Sequence, residues 1–333
     1  MFGKKIGIDF GTANSLIFLE DNGIVLNEPT VVAVSLSNNK ILAVGKEAKE
    51  MLGKTPSGIV ARRPLKNGVI ASYKVTEVLL RYFLAKTLGV SRIFRPEIVI
   101  SIPAGATSVE KRAVYEAIIS AGAKKAYLIP EPFLAAIGAG LPINTSAGNM
   151  IVNIGGGTTE IAVISLNGIV AWKSERVAGD AFNDGIATFL KRKYAISIGE
   201  QMAEEIKIQI GSVLTIEKPM NIEIKGRDAT TGMPKSMILT SNDLVESFRP
   251  SLNLIIVAIK SVLEKTPPEL LSDIIDRGIV LSGGSSLLRS LDLLLTKAIG
   301  VPFHVADDPL LCVVKGTGIA LKHFDILENI VIK

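Results

Sequence analysis

Apolar residues follow two rhythms along this chain. Largely apolar runs at 6–10, 16–19, 97–102, 127–129, 150–154, 161–164 and 278–281 read as buried strands. Helical spacing appears at Val75, Val78, Leu79, Tyr82 and Phe83, which predicts a helix over 75–88. Thr107-Ser-Val-Glu110 is a capping box, since the threonine and glutamate can each satisfy a free N–H of the first turn; it opens a helix that Gly122 stops. Pro132 suits a first helical turn and predicts a small-residue helix through Ala139. Further helices are expected over 185–194, 201–210, 242–263 and 287–298. Strands alternating with helices place the chain in the α/β class.

The pattern also repeats. Ile6-Gly-Ile-Asp-Phe-Gly-Thr-Ala-Asn-Ser15 aligns with Met150-Ile-Val-Asn-Ile-Gly-Gly-Gly-Thr-Thr159, so that Asp9 falls on Asn153 and Gly11 on Gly155. Asn-Gly-Ile-Val recurs at 22–25 and 167–170. Each copy reads as strand, glycine turn, strand, a hairpin whose turn permits close backbone approach. The more polar, strand-and-turn-rich stretches 30–70 and 180–242 read as insertions riding on two related larger domains. No low-complexity linker separates the halves, which suggests a hinge about a shared cleft.

Composition narrows the chemistry. Hydrophobic residues make up 48% of 333, with mean hydropathy +0.40, enough for a large core and a surplus that a partner, a membrane or further copies would cover. No stretch reaches the roughly 18 apolar residues of a spanning helix, and the first residues carry no signal-peptide core, so a cytoplasmic location is expected. Cys312 is the only cysteine, and His304 and His323 the only histidines. An internal disulfide is therefore excluded and a thiolate or histidine metal site disfavoured; a metal would be a hard cation held by carboxylate, phosphate and water. A net charge of +5 admits an anionic partner, but no zinc finger or aromatic-interleaved basic stripe points to nucleic acid.

Three glycine clusters end strands. In Asp9-Phe-Gly-Thr-Ala-Asn14 the exposed N–H groups of Gly11, Thr12, Ala13 and Asn14 can hold phosphate oxygens, while Asp9 can hold the water shell of Mg²⁺. Gly155, Gly156, Gly157 and Thr158 supply a facing turn, and Gly283-Gly284 lets a flat base or a phosphate lie against backbone. The P-loop pattern is absent.

These clusters resemble the phosphate-1, phosphate-2 and adenosine motifs of the actin, sugar kinase and heat-shock chaperone superfamily. The resemblance to the MreB family of bacterial actin homologues runs over roughly 4–325. It is carried by Asn27-Glu-Pro29, Arg63-Pro-Leu-Lys-Asn-Gly-Val69, Arg95-Pro-Glu-Ile-Val99, Glu131-Pro132, Thr266-Pro-Pro-Glu-Leu270 and Asp307-Asp-Pro-Leu310. It implies an actin-like fold in four parts: 1–29, 67–139 and 311–333; 30–66; 140–179 and 243–310; and 180–242. It implies ATP and Mg²⁺ as cofactors, Glu131 orienting the attacking water with Thr158, and Glu204 and Lys207 touching ribose and adenine. Glu131 at a helix start fits an ionised carboxylate, and the i,i+3 spacing of Glu204 and Lys207 places them on one helix face. One departure stands out: the family's phosphate-2 motif usually begins with aspartate, where this chain has Asn153. The resemblance still implies Asp9 and Asn153 holding Mg²⁺ through water; backbone phosphate contacts survive the change, while the magnesium shell and hydrolysis are left open.

The resemblance further implies slow ATP hydrolysis coupled to filament assembly, on the inner face of the cell membrane. The implied partners are further copies of the chain, anionic lipid, and cell-shape or motility proteins. Ile93 and Phe94, flanked by Arg92 and Arg95, form an apolar wedge between cations, suited to an anionic bilayer; packing of the same pair into the core is the other reading. Alternatives at this level are a filament for plasmid or organelle positioning, a small-molecule kinase of the superfamily, for which no catalytic aspartate stands out, and a chaperone ATPase, for which only 321–333 would remain as substrate region.

Overall fold

The computed structural model describes residues 4–38, 40–89 and 95–323. Its frame is two five-stranded sheets. The first runs Lys125–Pro130, Glu97–Ile102, Lys5–Phe10, Asn14–Leu19, Gly23–Pro29 from edge to edge. The second runs Phe303–Val305, Ile279–Ser282, Asn149–Ile154, Thr159–Ser165, Gly168–Glu175. Strand for strand the two agree: two parallel pairings followed by two antiparallel ones. The sequence repeat is thus a repeat of architecture, and the chain has an α/β fold of two related lobes. Central strands such as Asn149–Ile154 are buried throughout, which explains their largely apolar runs: both faces are covered.

The predicted capping box is present, with Thr107 accepting from the Glu110 N–H and Gly122 closing helix Ser108–Ala121. Three expectations shift. The helix expected over 287–298 begins only at Leu291, because Gly284–Leu287 forms a 3-10 turn and Ser290 is left-handed (φ 62°). The helix expected from Gly185 begins at Gly179, tied to the glycine turn by Gly179 N–H to Gly155 O (3.2 Å) and Asp180 N–H to Gly156 O (2.7 Å). The insertion 180–242 carries two helices, most of Gly179–Tyr194 and all of Glu200–Ile210, beside its small sheet of Ile196–Ser197, Asn221–Asp228 and Pro234–Thr240. It is more helical than its polarity suggests. The first insertion holds the sheet Val32–Ser35, Ile41–Val44, Ile59–Arg62 and a hairpin turning at Asn67-Gly68, both at positive φ as a two-residue turn requires.

Helices Pro268–Arg277 and Cys312–Lys322 were not legible from periodicity. The second crosses helix Glu131–Gly138 at backbone contact: a Cβ on Gly138 would collide with the Cys312 carbonyl, and one on Gly316 with the Leu134 carbonyl. Glycine is kept there for closeness. Gly316→Ala is expected to destabilise the protein by about 2 kcal/mol through overpacking, read as a lowered urea midpoint at unchanged slope. Around this crossing Phe133, Ile137, Val99, Ile151, Ala162, Val313 and Leu321 form a core shared by both lobes. Among the described residues no helix is long and apolar enough to cross a membrane.

Candidate nucleotide site

The three glycine clusters converge. A cavity of about 400 Å³ opens between the lobes, lined by Asp9, 10–14, Gly68, Glu131, Asn153, 155–158, Asp180, Glu204, Lys207, Gly283 and Gly284. Every expected catalytic, nucleotide and metal residue lies on its wall. Ile93 and Phe94 fall outside the described residues.

The two repeat-related turns face each other. A Cβ on Gly156 would stand 2.9 Å from Ala13 Cβ, and one on Gly157 2.7 Å from Thr12 Oγ1. Thr12 Oγ1 also accepts from Gly68 N–H (3.1 Å), which brings the Asn67-Gly68 hairpin over the turn. Arg63 supports it from behind, donating to the Thr12 and Ala13 carbonyls at 3.4 and 3.3 Å and pairing with Glu200 at 3.2 Å. Ser285 Oγ donates to Gly155 O (2.8 Å), tying the third cluster to the second.

At the floor, Glu131 is the first residue of its helix and accepts from Asn153 Nδ2 at 2.7 Å, while Asn153 Oδ1 accepts from Ser282 Oγ at 2.8 Å. Asp9 is buried and accepts from Ser101 Oγ (3.2 Å). Its carboxyl is pushed up to about 7 by burial, which the Ser101 bond only partly offsets. Glu160 is fully buried behind Glu131, accepting from Ala104 N–H (3.0 Å) and Ser174 Oγ (2.6 Å), and burial raises it to about 7. Withdrawal from water, then the charges of Glu160 and Asp9, hold Glu131 well above the usual carboxylate range, against the ionised state expected from its helix start. Such a group of raised acids would be relieved by a cation. Among the described residues no group of three or more His, Cys, Asp or Glu side chains is arranged to hold one directly. The residues therefore fit Mg²⁺ carried by phosphate and water, with Asp9 on its water shell.

At the opposite end, Lys207 Nζ donates to Gly179 O (2.9 Å), and burial lowers its pKa. Glu204 pairs with Lys49 across the mouth at 2.9 Å. Partial burial raises the Glu204 carboxyl, but Lys49, Arg63 and Lys207 outweigh it and hold the group below its usual range. Glu204 and Lys207 do share one helix face, yet each bonds elsewhere and not to the other.

Sequence reading missed Asp180, Ser285, Ser282, Ser101 and Glu160. Asp180 could have been found as an acid directly after a glycine at a helix start, and Glu160 as the acid closing the Gly-Gly-Gly-Thr-Thr turn. The serines carry no local signal, because their partners lie 91 to 130 residues away.

The profile of the MreB/Mbl protein family matches residues 3–329. The cell shape-determining protein Mbl of Bacillus subtilis is 49% identical over 330 residues, covering 99% of each chain. The cell shape-determining protein MreB of Escherichia coli is 47% identical, covering 98% of this chain and 95% of its own. The crystal structure of MreB5 of Spiroplasma citri bound to AMPPNP superposes with a TM-score of 0.93 at 34% identity, covering 98% of both chains. A MamK double helical filament subunit, at 22% identity and TM-score 0.81, covering 96% of this chain and 99% of its own, shares the fold. Matched by the family profile over residues 3–329, the chain belongs to the actin-like MreB/Mbl family.

Proposed function

We propose that this chain binds Mg-ATP between its lobes, polymerises head to tail, and forms membrane-associated filaments that support cell shape, with slow ATP hydrolysis. One observation carries the reading: glycine turns from both sheets line one cavity that has a carboxylate on a helix start at its floor. Relatives at 47–49% identity are named for cell shape, and Spiroplasma citri MreB5 has been solved with AMPPNP and with ADP. Turns 11–14 and 155–158 would hold phosphate oxygens by their N–H groups. Gly283 and Gly284 would lie along the nucleoside, with Glu204 and Lys207 at ribose and base. Glu131, assisted by Thr158, would orient the attacking water. Magnesium supplies neutralisation of the phosphate charge. The four-part division of the chain expected from the sequence belongs to this reading.

A head-to-tail contact does not close on itself and so gives open filaments. Exposed apolar residues such as Leu166, Leu293 and Leu310 are available for cover. On an anionic inner membrane face each subunit would present one weak wedge, Ile93-Phe94 between Arg92 and Arg95. A filament multiplies such wedges, because each later contact is effectively intramolecular. Pelleting of purified protein should require ATP, and co-sedimentation with anionic liposomes should require both filaments and the wedge. Ile93→Ser/Phe94→Ser should keep filaments and lose most lipid binding; equal pelleting with liposomes would remove this loop from the mechanism.

A further inference from the structure

The lobes meet at the cavity floor through an amide. Glu131 heads the helix that leaves the first sheet, and Asn153 lies on the central strand of the second. Asn153 Nδ2 donates to Glu131 Oε1 (2.7 Å) and its Oδ1 accepts from Ser282 Oγ (2.8 Å). Both ends of the amide are used, its donor by Glu131 and its acceptor by Ser282. An aspartate at this position has no donor when ionised. Two carboxylates this close need a proton or a cation between them.

We infer that Asn153 is a positioning residue that ties Glu131 and closes the cleft floor without a metal. The amide donor does between the lobes what a shared cation would do between two carboxylates. This tie between the lobes is therefore independent of Mg²⁺ in this chain, and the ion is left to the nucleotide's phosphates and to its water shell on Asp9. The last clause rests on the proposed nucleotide reading; the tie itself does not.

The test is a reciprocal swap in the full chain. Ligand-free protein is melted in mildly alkaline buffer with EDTA or with MgCl2, as wild type, Asn153→Asp, and Asn153→Asp/Glu131→Gln. The single variant should melt on the order of 3 °C lower or more in EDTA, and Mg²⁺ should recover it while leaving wild type unmoved. The double variant restores an amide–carboxylate pair with the donor reversed, and should regain most of the loss without metal. A role for Asn153 that does not run through Glu131 would show no such rescue. If the single variant is insoluble, recovery of soluble protein in the double variant reads the same bond. For nucleotide, the ratio of ATP affinity with Mg²⁺ to that in EDTA should grow about tenfold on Asn153→Asp, or about 1.4 kcal/mol. A double variant no better than the single one, or wild type gaining as much from Mg²⁺ as Asn153→Asp, would overturn the inference. Rescue by the swap with no ATP binding in any variant would leave the tie standing and sink the nucleotide reading.

Discussion

Gly156→Asp is expected to abolish ATP binding. Gly156 faces Ala13 across the gap between the two repeat-related turns, and even a methyl group there would sit 2.9 Å from Ala13 Cβ. A carboxylate adds charge to bulk. Placed about 4 Å from a phosphate oxygen at an effective dielectric of about 20, it costs about 4 kcal/mol per unit charge, close to a thousandfold in affinity. Isothermal titration with Mg-ATP measures this directly. Undiminished affinity would separate the glycine turns from phosphate and with them the nucleotide assignment. The backbone at Gly156 is not left-handed, so the substitution acts in the cavity and not through strain.

Glu131→Ala is expected to lower ATP turnover about a hundredfold while leaving nucleotide affinity nearly unchanged. The carboxylate lies at the floor, beside Thr158 and below the facing turns, where it can hold a water but has no phosphate-binding donor to lose. Phosphate release under saturating ATP reads the first quantity and a fluorescent-nucleotide titration the second. A fall in kcat with KM preserved assigns Glu131 to the water. Equal losses in both would leave Glu131 only its tie to Asn153 at the cleft floor, and unchanged turnover would remove it from hydrolysis.

What the sequence made legible was local. The capping box at Thr107 and Glu110 and the glycine turns are each written within four or five residues, and all stand where expected. The repeat was legible because both hairpins face the same requirement of close backbone approach. What stayed hidden depends on distant neighbours. Helix Cys312–Lys322 runs through Gly316 and Gly318 because Leu134 and Phe18 press against it where side chains would stand. Pro267 caps the start of helix Pro268–Arg277, which periodicity did not show. The bonds Asn153 makes, one to Glu131 and one from Ser282, join residues 22 and 129 positions apart. The resemblance marked Asn153 as a departure, but only the packed floor shows what its amide faces.

The helix crossing at Gly138 and Gly316 bears on the order in which the newly made chain can take shape. The second lobe's own core spans Met150 to Phe303 and can condense once that stretch has left the ribosome. The first lobe, synthesised earlier, has its own core from Ile6 to Leu128 and can condense sooner, but one face of it stays open. Its central strand packs at Gly7 against Thr317, and the core it shares with its partner lobe takes in Val313, Ala320 and Leu321. A nascent chain that has reached residue 311 thus holds every phosphate turn and the floor carboxylate, but lacks the helix that seats them together. Cleft assembly therefore waits until helix Cys312–Lys322 has docked, however early the turns themselves are made.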